Sequence, residues 1–279
     1  MPPVRRAPVN GVALRYVDEG AGTPLLCVHG AFADHRNWDS QRMALAPHLR
    51  FIAFSQRYFG PDPWPDAGAH YSLETHAADL AAFIRFLDVG PVHVAARSYG
   101  ANVALFAALR DPGLFHALLV QEPQLPSLVT DPTDRATIAA EREGLAAVRE
   151  AARAGDADAA TRRFYDWVNG VEDAFDELPG DAQAAHLANG RTIALHFRAQ
   201  PRPPTGAAEL ALLRVPLTVT RGALTRPYMR ICAEAVHRCV EGSRMVVIPG
   251  ARHAASAQNP AVFNRVLRDF TAAPASCLP

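Results

Sequence analysis

The stretch His93-Val94-Ala95-Ala96-Arg97-Ser98-Tyr99-Gly100-Ala101 decides the fold. It reads as a short apolar run, then a serine among small neighbours, then an Ala- and Leu-rich stretch reaching Leu109. Such a run predicts a strand buried on both faces, and the Ala/Leu stretch predicts a helix. A strand that turns at once into a helix leaves no room for side chains beside the turn, which suits Ala96 and Gly100 two residues either side of Ser98. The pattern is G-x-S-x-G with alanine for the first glycine. It predicts a Ser98 hydroxyl held clear of the sheet, with the following N–H groups aimed at the same spot. A five-residue match alone is a weak signal, and a plain strand-to-helix turn with Ser98 as N-cap is the alternative. The strand before and the helix after strengthen it.

Working outward, residues 12–17, 25–28, 51–54 and 117–120 are further mostly apolar runs, read as strands. Ser72 is placed to cap a helix whose Leu73, Leu80, Ile84 and Leu87 share one face. Alternating strands and helices predict a sheet with right-handed crossovers. The rhythm breaks from about residue 125 to 210, where no strand is expected and residues 138–153, 159–168 and 182–197 read as helices. Breaks fall at 155–158 and 178–181, and a stiff proline-rich linker at 200–204. Strands at 216–219 and 245–248 and helices near 230–239 and 260–270 then resume the pattern. The division expected is an α/β core at 1–123, a helical insertion at 124–212 and the rest of the core at 213–279.

Composition narrows the function. The chain has 279 residues, and its 28 basic residues, all arginine, balance 28 acidic ones. Without lysine there is no lysine Schiff base, no phosphate-loop lysine and no Ser-Lys dyad. Zero net charge argues against a general nucleic-acid binder. Cys27, Cys232, Cys239 and Cys277 have no metal-finger spacing, and Cys27 lies in an apolar strand. No apolar run approaches the ~20 residues of a membrane span, and the first residues lack the apolar segment of a secretory signal. A cytoplasmic protein with reduced thiols, binding neither membrane nor nucleic acid, is the expectation.

Two further stretches carry chemistry. In Leu25-Leu26-Cys27-Val28-His29-Gly30-Ala31-Phe32 a buried strand ends in His-Gly. The chain is expected to curl there so that the Ala31 N–H faces Ser98 and, with the Tyr99 N–H, forms an oxyanion hole. His29 reads as a structural residue of that loop. In Ile248-Pro249-Gly250-Ala251-Arg252-His253 a late strand ends in a glycine turn and a histidine. A free serine hydroxyl is a poor nucleophile, and His253 is the candidate general base.

These three pieces, in this order, resemble the α/β-hydrolase superfamily, and within it the capped branch that includes esterases, lactonases, C–C hydrolases, haloalkane dehalogenases and epoxide hydrolases. The resemblance covers nearly the whole chain and is weakest in the insertion. It implies an eight-stranded, mostly parallel sheet with a helical cap over the site, and a Ser-acid-His triad. Dehalogenases and epoxide hydrolases use aspartate as nucleophile, and position 98 is serine. The chain departs from the pattern at the acid. Most relatives carry Asp in a G-x-x-D after the strand that follows the cap; here Arg221-Gly222-Ala223-Leu224-Thr225-Arg226 puts Thr225 in that slot. Some family members carry the acid after the preceding strand, which here runs into Gln121-Glu122-Pro123, so the resemblance assigns Glu122; the alternative is a Glu122 that only bonds backbone at the cap hinge, with another acid such as Asp34 or Asp39 reaching His253.

Phe32, Trp64 and Arg226 are the candidate substrate-binding residues. Arg97 and Arg226 both fall near the expected site, where an arginine binds a substrate carboxylate or, more commonly, pairs with a protein acid. Phe164, Tyr165 and Trp167 in the insertion either face the substrate or, as the commoner case, pack between helices. The expected activity is hydrolysis of a small carboxylic ester or lactone through an acyl-enzyme, with no metal or organic cofactor. The alternatives are a C–C bond hydrolase or another cofactor-free reaction, and a ligand-binding homologue degenerate at position 225.

Overall fold

The computed structural model describes residues 2–198 and 206–272. The predicted linker at 200–204 and Cys277 lie outside the described residues. Eight strands form one sheet in the order β1-β2-β4-β3-β5-β6-β7-β8. They are β1 (Arg5–Val9), β2 (Val12–Glu19), β3 (Pro24–Val28), β4 (Arg50–Phe54), β5 (Val92–Arg97), β6 (Phe115–Gln121), β7 (Leu217–Gly222) and β8 (Arg244–Ile248). β2 runs antiparallel to β1 and β4, and every other neighbouring pair is parallel.

The central parallel strands β3, β4, β5 and β6 read as largely apolar runs because both their faces are covered, whereas the edge strand β8 is only partly buried. Alternate residues enter different cores: Leu26 and Val28 of β3 face one side, Leu25 and Cys27 the other. The first side is covered by α2 (Leu73–Leu87), α3 (Tyr99–Arg110) and α10 (Pro227–Cys239), the second by α1 (Asp39–Leu45) and α12 (Pro260–Ala272). The Ser72 hydroxyl accepts the Thr75 N–H at 3.1 Å, the cap expected at the start of α2. β1 has no counterpart in the sequence reading. Its Arg5, Arg6 and Pro8 hide a two-residue alternation in which only Ala7 and Val9 are buried, and proline is tolerated because β1 is the sheet's outer edge.

Between β6 and β7 the described residues hold a 3-10 turn and then helices α4 (Pro132–Glu143), α5 (Ala146–Arg153), α6 (Ala157–Asn169), α7 (Gly180–Gly190), α8 (Ile193–Arg198) and α9 (Ala207–Leu210). Two helices expected to be continuous are broken. The first ends at Gly144, whose missing side chain admits the Trp167 ring, since a Cβ there would sit 3.0 Å from it. The second ends at Gly190, where a Cβ would overlap the Thr161 hydroxyl. Past the sheet's last strand lies one further short helix, α11 (Ala255–Gln258), before α12. No helix among the described residues is long and apolar enough to cross a membrane.

One buried side chain pins the helical insert to the core. Asn189 of α7 accepts the Gly60 N–H at 2.6 Å and donates to Asp34 Oδ2 at 2.9 Å. Burial raises the Asp34 carboxyl, but hydrogen bonds from Arg36 and Asn189 outweigh it and hold the group well below the usual carboxylate range. Asn189→Ala leaves the buried Gly60 N–H without its partner, at a cost of about 1–3 kcal/mol, and removes one of several hydrogen bonds to Asp34. The variant is expected to unfold at clearly lower urea, with protease nicking appearing first in residues 124–198.

Candidate active site

Ser98 sits between β5 and α3 with φ 54° and ψ −120°, a conformation that non-glycine residues rarely adopt. Its own N–H is held by the Gln121 carbonyl at 2.8 Å. A Cβ at Gly100 would overlap the His29 carbonyl oxygen, and one at Gly30 would lie 3.2 Å from Ser98 Cβ. The tightness inferred from small neighbours is therefore a close approach of the β3 and β5 ends. Ser98 stands at the N-cap position of α3, but its side chain makes no capping hydrogen bond. Its Oγ accepts from Gln124 Nε2 at 3.0 Å, and Gln124 is itself clamped by Asn102 through both its backbone N–H and carbonyl.

His29 ties the loop, as its structural reading requires. Its Nδ1 donates to the Gly30 carbonyl at 2.7 Å and its Nε2 accepts the Gln56 N–H at 3.0 Å. Ala31 follows directly and lines the same cavity as Ser98. Tyr99 is the first residue of α3, directly after Ser98.

His253 follows β8, and its carbonyl is held by Gln121 Nε2 at 2.5 Å. Its Nδ1 lies 2.5 Å from Glu122 Oε2. Glu122 is fully buried and turns at φ 48° immediately after β6. Its Oε1 accepts the Gly222 N–H at 2.9 Å, and its Oε2 also accepts the Thr225 hydroxyl at 3.1 Å. Thr225, in the slot where the resemblance expects an aspartate, thus donates to the carboxylate that meets His253. A neutral imidazole that donates Nδ1–H to this carboxylate has its lone pair on Nε2. His253 and Ser98 line one cavity, though no direct hydrogen bond joins them in this structure; such bonds commonly tighten only with substrate.

The cavity lies between the core and the insert and encloses about 470 Å³ of non-atom space, part of it open to solvent. Phe32 lines it, edge-on to Phe164 at a centroid distance of 4.7 Å. Phe164 and Tyr165 also line it, the less common of their two readings, whereas Trp167 packs between helices. Two substrate-binding candidates lie elsewhere. Trp64 donates to the Tyr58 carbonyl at 2.7 Å and stacks under the Arg191 guanidinium, because the proline-rich loop folds on itself. Arg226 pairs with Glu141 and the Trp167 carbonyl and lies over the Trp167 ring, joining α4 to α6. Gln124, Asn37, Asn102 and His186 were not singled out from sequence. For Gln124 the signal was available: Gln121-Glu122-Pro123-Gln124 is a polar cluster ending an apolar strand.

Two buried histidines set an acid limit. Burial lowers His29 to about 4 and His76, whose Nδ1 meets the Tyr99 hydroxyl at 2.6 Å, to about 3. In the unfolded chain both titrate near 6.5. The unfolded state therefore binds more protons below that pH, and stability falls as pH drops from about 6.5 toward 4. At pH 5 each contributes a loss of about 2 kcal/mol. Melting temperature is expected to be flat above pH 7 and to fall steeply below 6, as read by circular dichroism.

A profile of the alpha/beta hydrolase fold matches residues 23–260. Over 106 residues the chain is 32% identical to a 2-hydroxy-6-oxo-2,4-heptadienoate hydrolase of Pseudomonas putida, covering 37% of this chain and 38% of that one. A soluble epoxide hydrolase of a Corynebacterium species is 28% identical over 124 residues, covering 44% of this chain and 42% of that one. The alignments thus span about two fifths of these curated relatives. Among solved structures, a thermophilic esterase from Thermogutta terrifontis superposes with a TM-score of 0.73 at 21% identity, covering 96% of this chain and 97% of that one. The N-acyl homoserine lactone degrading enzyme Est816 gives 0.72 at 20% identity, covering 96% and 100%. Two parallel faces of apolar core, the strained serine turn and the profile match agree, and the chain belongs to the alpha/beta hydrolase fold family.

Proposed function

We propose that the protein is a serine hydrolase that cleaves a carboxylic ester or lactone, with residues 124–212 acting as a cap over the site. The observation that carries this reading is a fully buried carboxylate–imidazole pair, Glu122 and His253, sharing a cavity with the Ser98 hydroxyl. In this mechanism Ser98 Oγ attacks the carbonyl carbon and His253 Nε2 takes its proton. Glu122 stabilises the imidazolium, and its remaining lone pairs are already satisfied by Gly222 and Thr225. The oxyanion is received by the N–H groups of Ala31 and Tyr99. His253 then returns the proton to the leaving alcohol and activates the water that releases the acyl group. Every step uses side chains and backbone of this chain.

A second reading, hydrolysis of a carbon–carbon bond beside a ketone, is favoured by the match to the 2-hydroxy-6-oxo-2,4-heptadienoate hydrolase, whose named substrate is a keto acid rather than an ester. The same serine and histidine would serve it. A panel of p-nitrophenyl esters, lactones and such keto acids separates the two.

A fluorophosphonate probe is expected to label Ser98, and absence of labelling would identify a degenerate homologue. Ser98→Ala should lower kcat by several powers of ten with folding intact. Glu122→Gln keeps the shape but removes the charge. It should lower kcat by about two or more powers of ten and leave KM nearly unchanged, because the loss falls on the transition state. Wild-type turnover in Glu122→Gln would leave Ser98 and His253 without need of the acid.

A further inference from the structure

Among the described residues three arginines are buried: Arg42, Arg57 and Arg97. Two have carboxylate partners. Arg42 meets Glu19 at 2.6 Å and Asp39 at 3.0 Å, and Arg57 meets Asp79 at 2.7 Å. Arg97 has none. Its Nη1 donates to two neutral oxygens, Asn37 Oδ1 at 2.9 Å and Ser256 Oγ at 3.3 Å, and its Nε and Nη2 have no partner among the described residues. Glu122 attracts it only from a distance, and that carboxylate is occupied by His253, Gly222 and Thr225. A guanidinium in so buried a side chain is ordinarily paired with a carboxylate, and neither Nε nor Nη2 of Arg97 is among the fully buried polar atoms left without a partner, so both keep access to the cavity. Arg97 directly precedes Ser98 and lines its cavity.

We propose that Arg97 is the anchor for a carboxylate carried by the substrate, so that the natural ester or lactone is anionic. This rests on the reading of the site as a hydrolase and names its substrate class. The planar guanidinium offers two neighbouring N–H edges, which match the two oxygens of a carboxylate. Asn37 and Ser256 hold the other edge and set its orientation. Phe32, Phe164 and Val168 give the cavity an apolar wall for the carbon chain between the charge and the scissile carbonyl. Burial pushes the Arg97 pKa down, yet a guanidinium stays protonated at any working pH, so the anchor keeps its charge. The same burial strengthens its pairing when the site is filled.

The test compares matched esters that differ in one charge. Monomethyl glutarate against dimethyl glutarate places the carboxylate in the acyl half; 4-acetoxybutyrate against 4-acetoxybutyramide places it in the alcohol half. Wild-type enzyme is expected to prefer the anion in at least one pair by about tenfold or more in kcat/KM, on the scale of a charge-assisted hydrogen bond. Arg97→Met should bring that ratio close to one, and Arg97→Lys should keep part of it, since an ammonium retains the charge but not the fork. Equal turnover within both pairs by wild-type enzyme overturns the inference, and needs no variant to fold. Failure of the hydrolase reading shows itself separately, as absence of fluorophosphonate labelling at Ser98. In that event the melting temperature decides: stabilisation by glutarate but not by glutaramide, lost in Arg97→Met, supports the anchor, and no difference between the two overturns it.

Discussion

One serine held at a positive φ organises this molecule's site. Backbone strain of that kind costs about 1–3 kcal/mol and persists only where its surroundings over-determine it. Here they do. The Ser98 N–H is committed to β6, Gly100 lies against the His29 carbonyl, and Gly30 lies against Ser98 Cβ. The ends of β3, β5 and β6 thus lock one another, and each can be tight only because the others are. The residues that follow inherit this order: Ala31 enters the cavity after Gly30, and Glu122 follows the strand residue that holds Ser98 in place.

The carboxylate beside His253 shows how little the sheet cares which strand delivers it. β6 and β7 are neighbours in parallel register, with Gln121 opposite Thr220. A side chain just past β6 and one just past β7 therefore end within reach of the same imidazole. Glu122 arrives from the first strand and takes hydrogen bonds from Gly222 and Thr225 of the second. Glu122, His253, Gly222 and Thr225 thus form one hydrogen-bonded cluster at the ends of the two strands.

What was legible in the sequence follows from what each signal reports. Apolar runs marked the central parallel strands because those are buried on both faces, and the serine and histidine were visible because a strand end next to glycine constrains residue type. β1 was not, since an edge strand needs only Ala7 and Val9 inside and tolerates Pro8. Helix periodicity ran through Gly144 and Gly190 because nothing local says that a Trp167 ring or a Thr161 hydroxyl will come from elsewhere to occupy the space. Trp64 and Arg226 were drawn toward the site by their position along the chain. Their true partners, Arg191 and Glu141, lie far away in sequence and decide where the side chains go. Gln124 was missed for a different reason: an amide is chemically quiet, and its placement against Ser98 Oγ depends on the clamp from Asn102.

The hydroxyl of Thr225 has a consequence for how such a site changes over generations. An aspartate at 225 beside Glu122 would set two carboxylates on one buried imidazole, and like charges at that range cannot both stay ionised. One would retain a proton, and the imidazole's partner would become a matter of pH. Passage of the acid from one strand to its neighbour therefore favours an intermediate sequence in which the vacated position is uncharged and can still donate. Threonine meets both conditions, and in this chain the imidazole keeps a single carboxylate neighbour while position 225 contributes only a hydrogen bond to it.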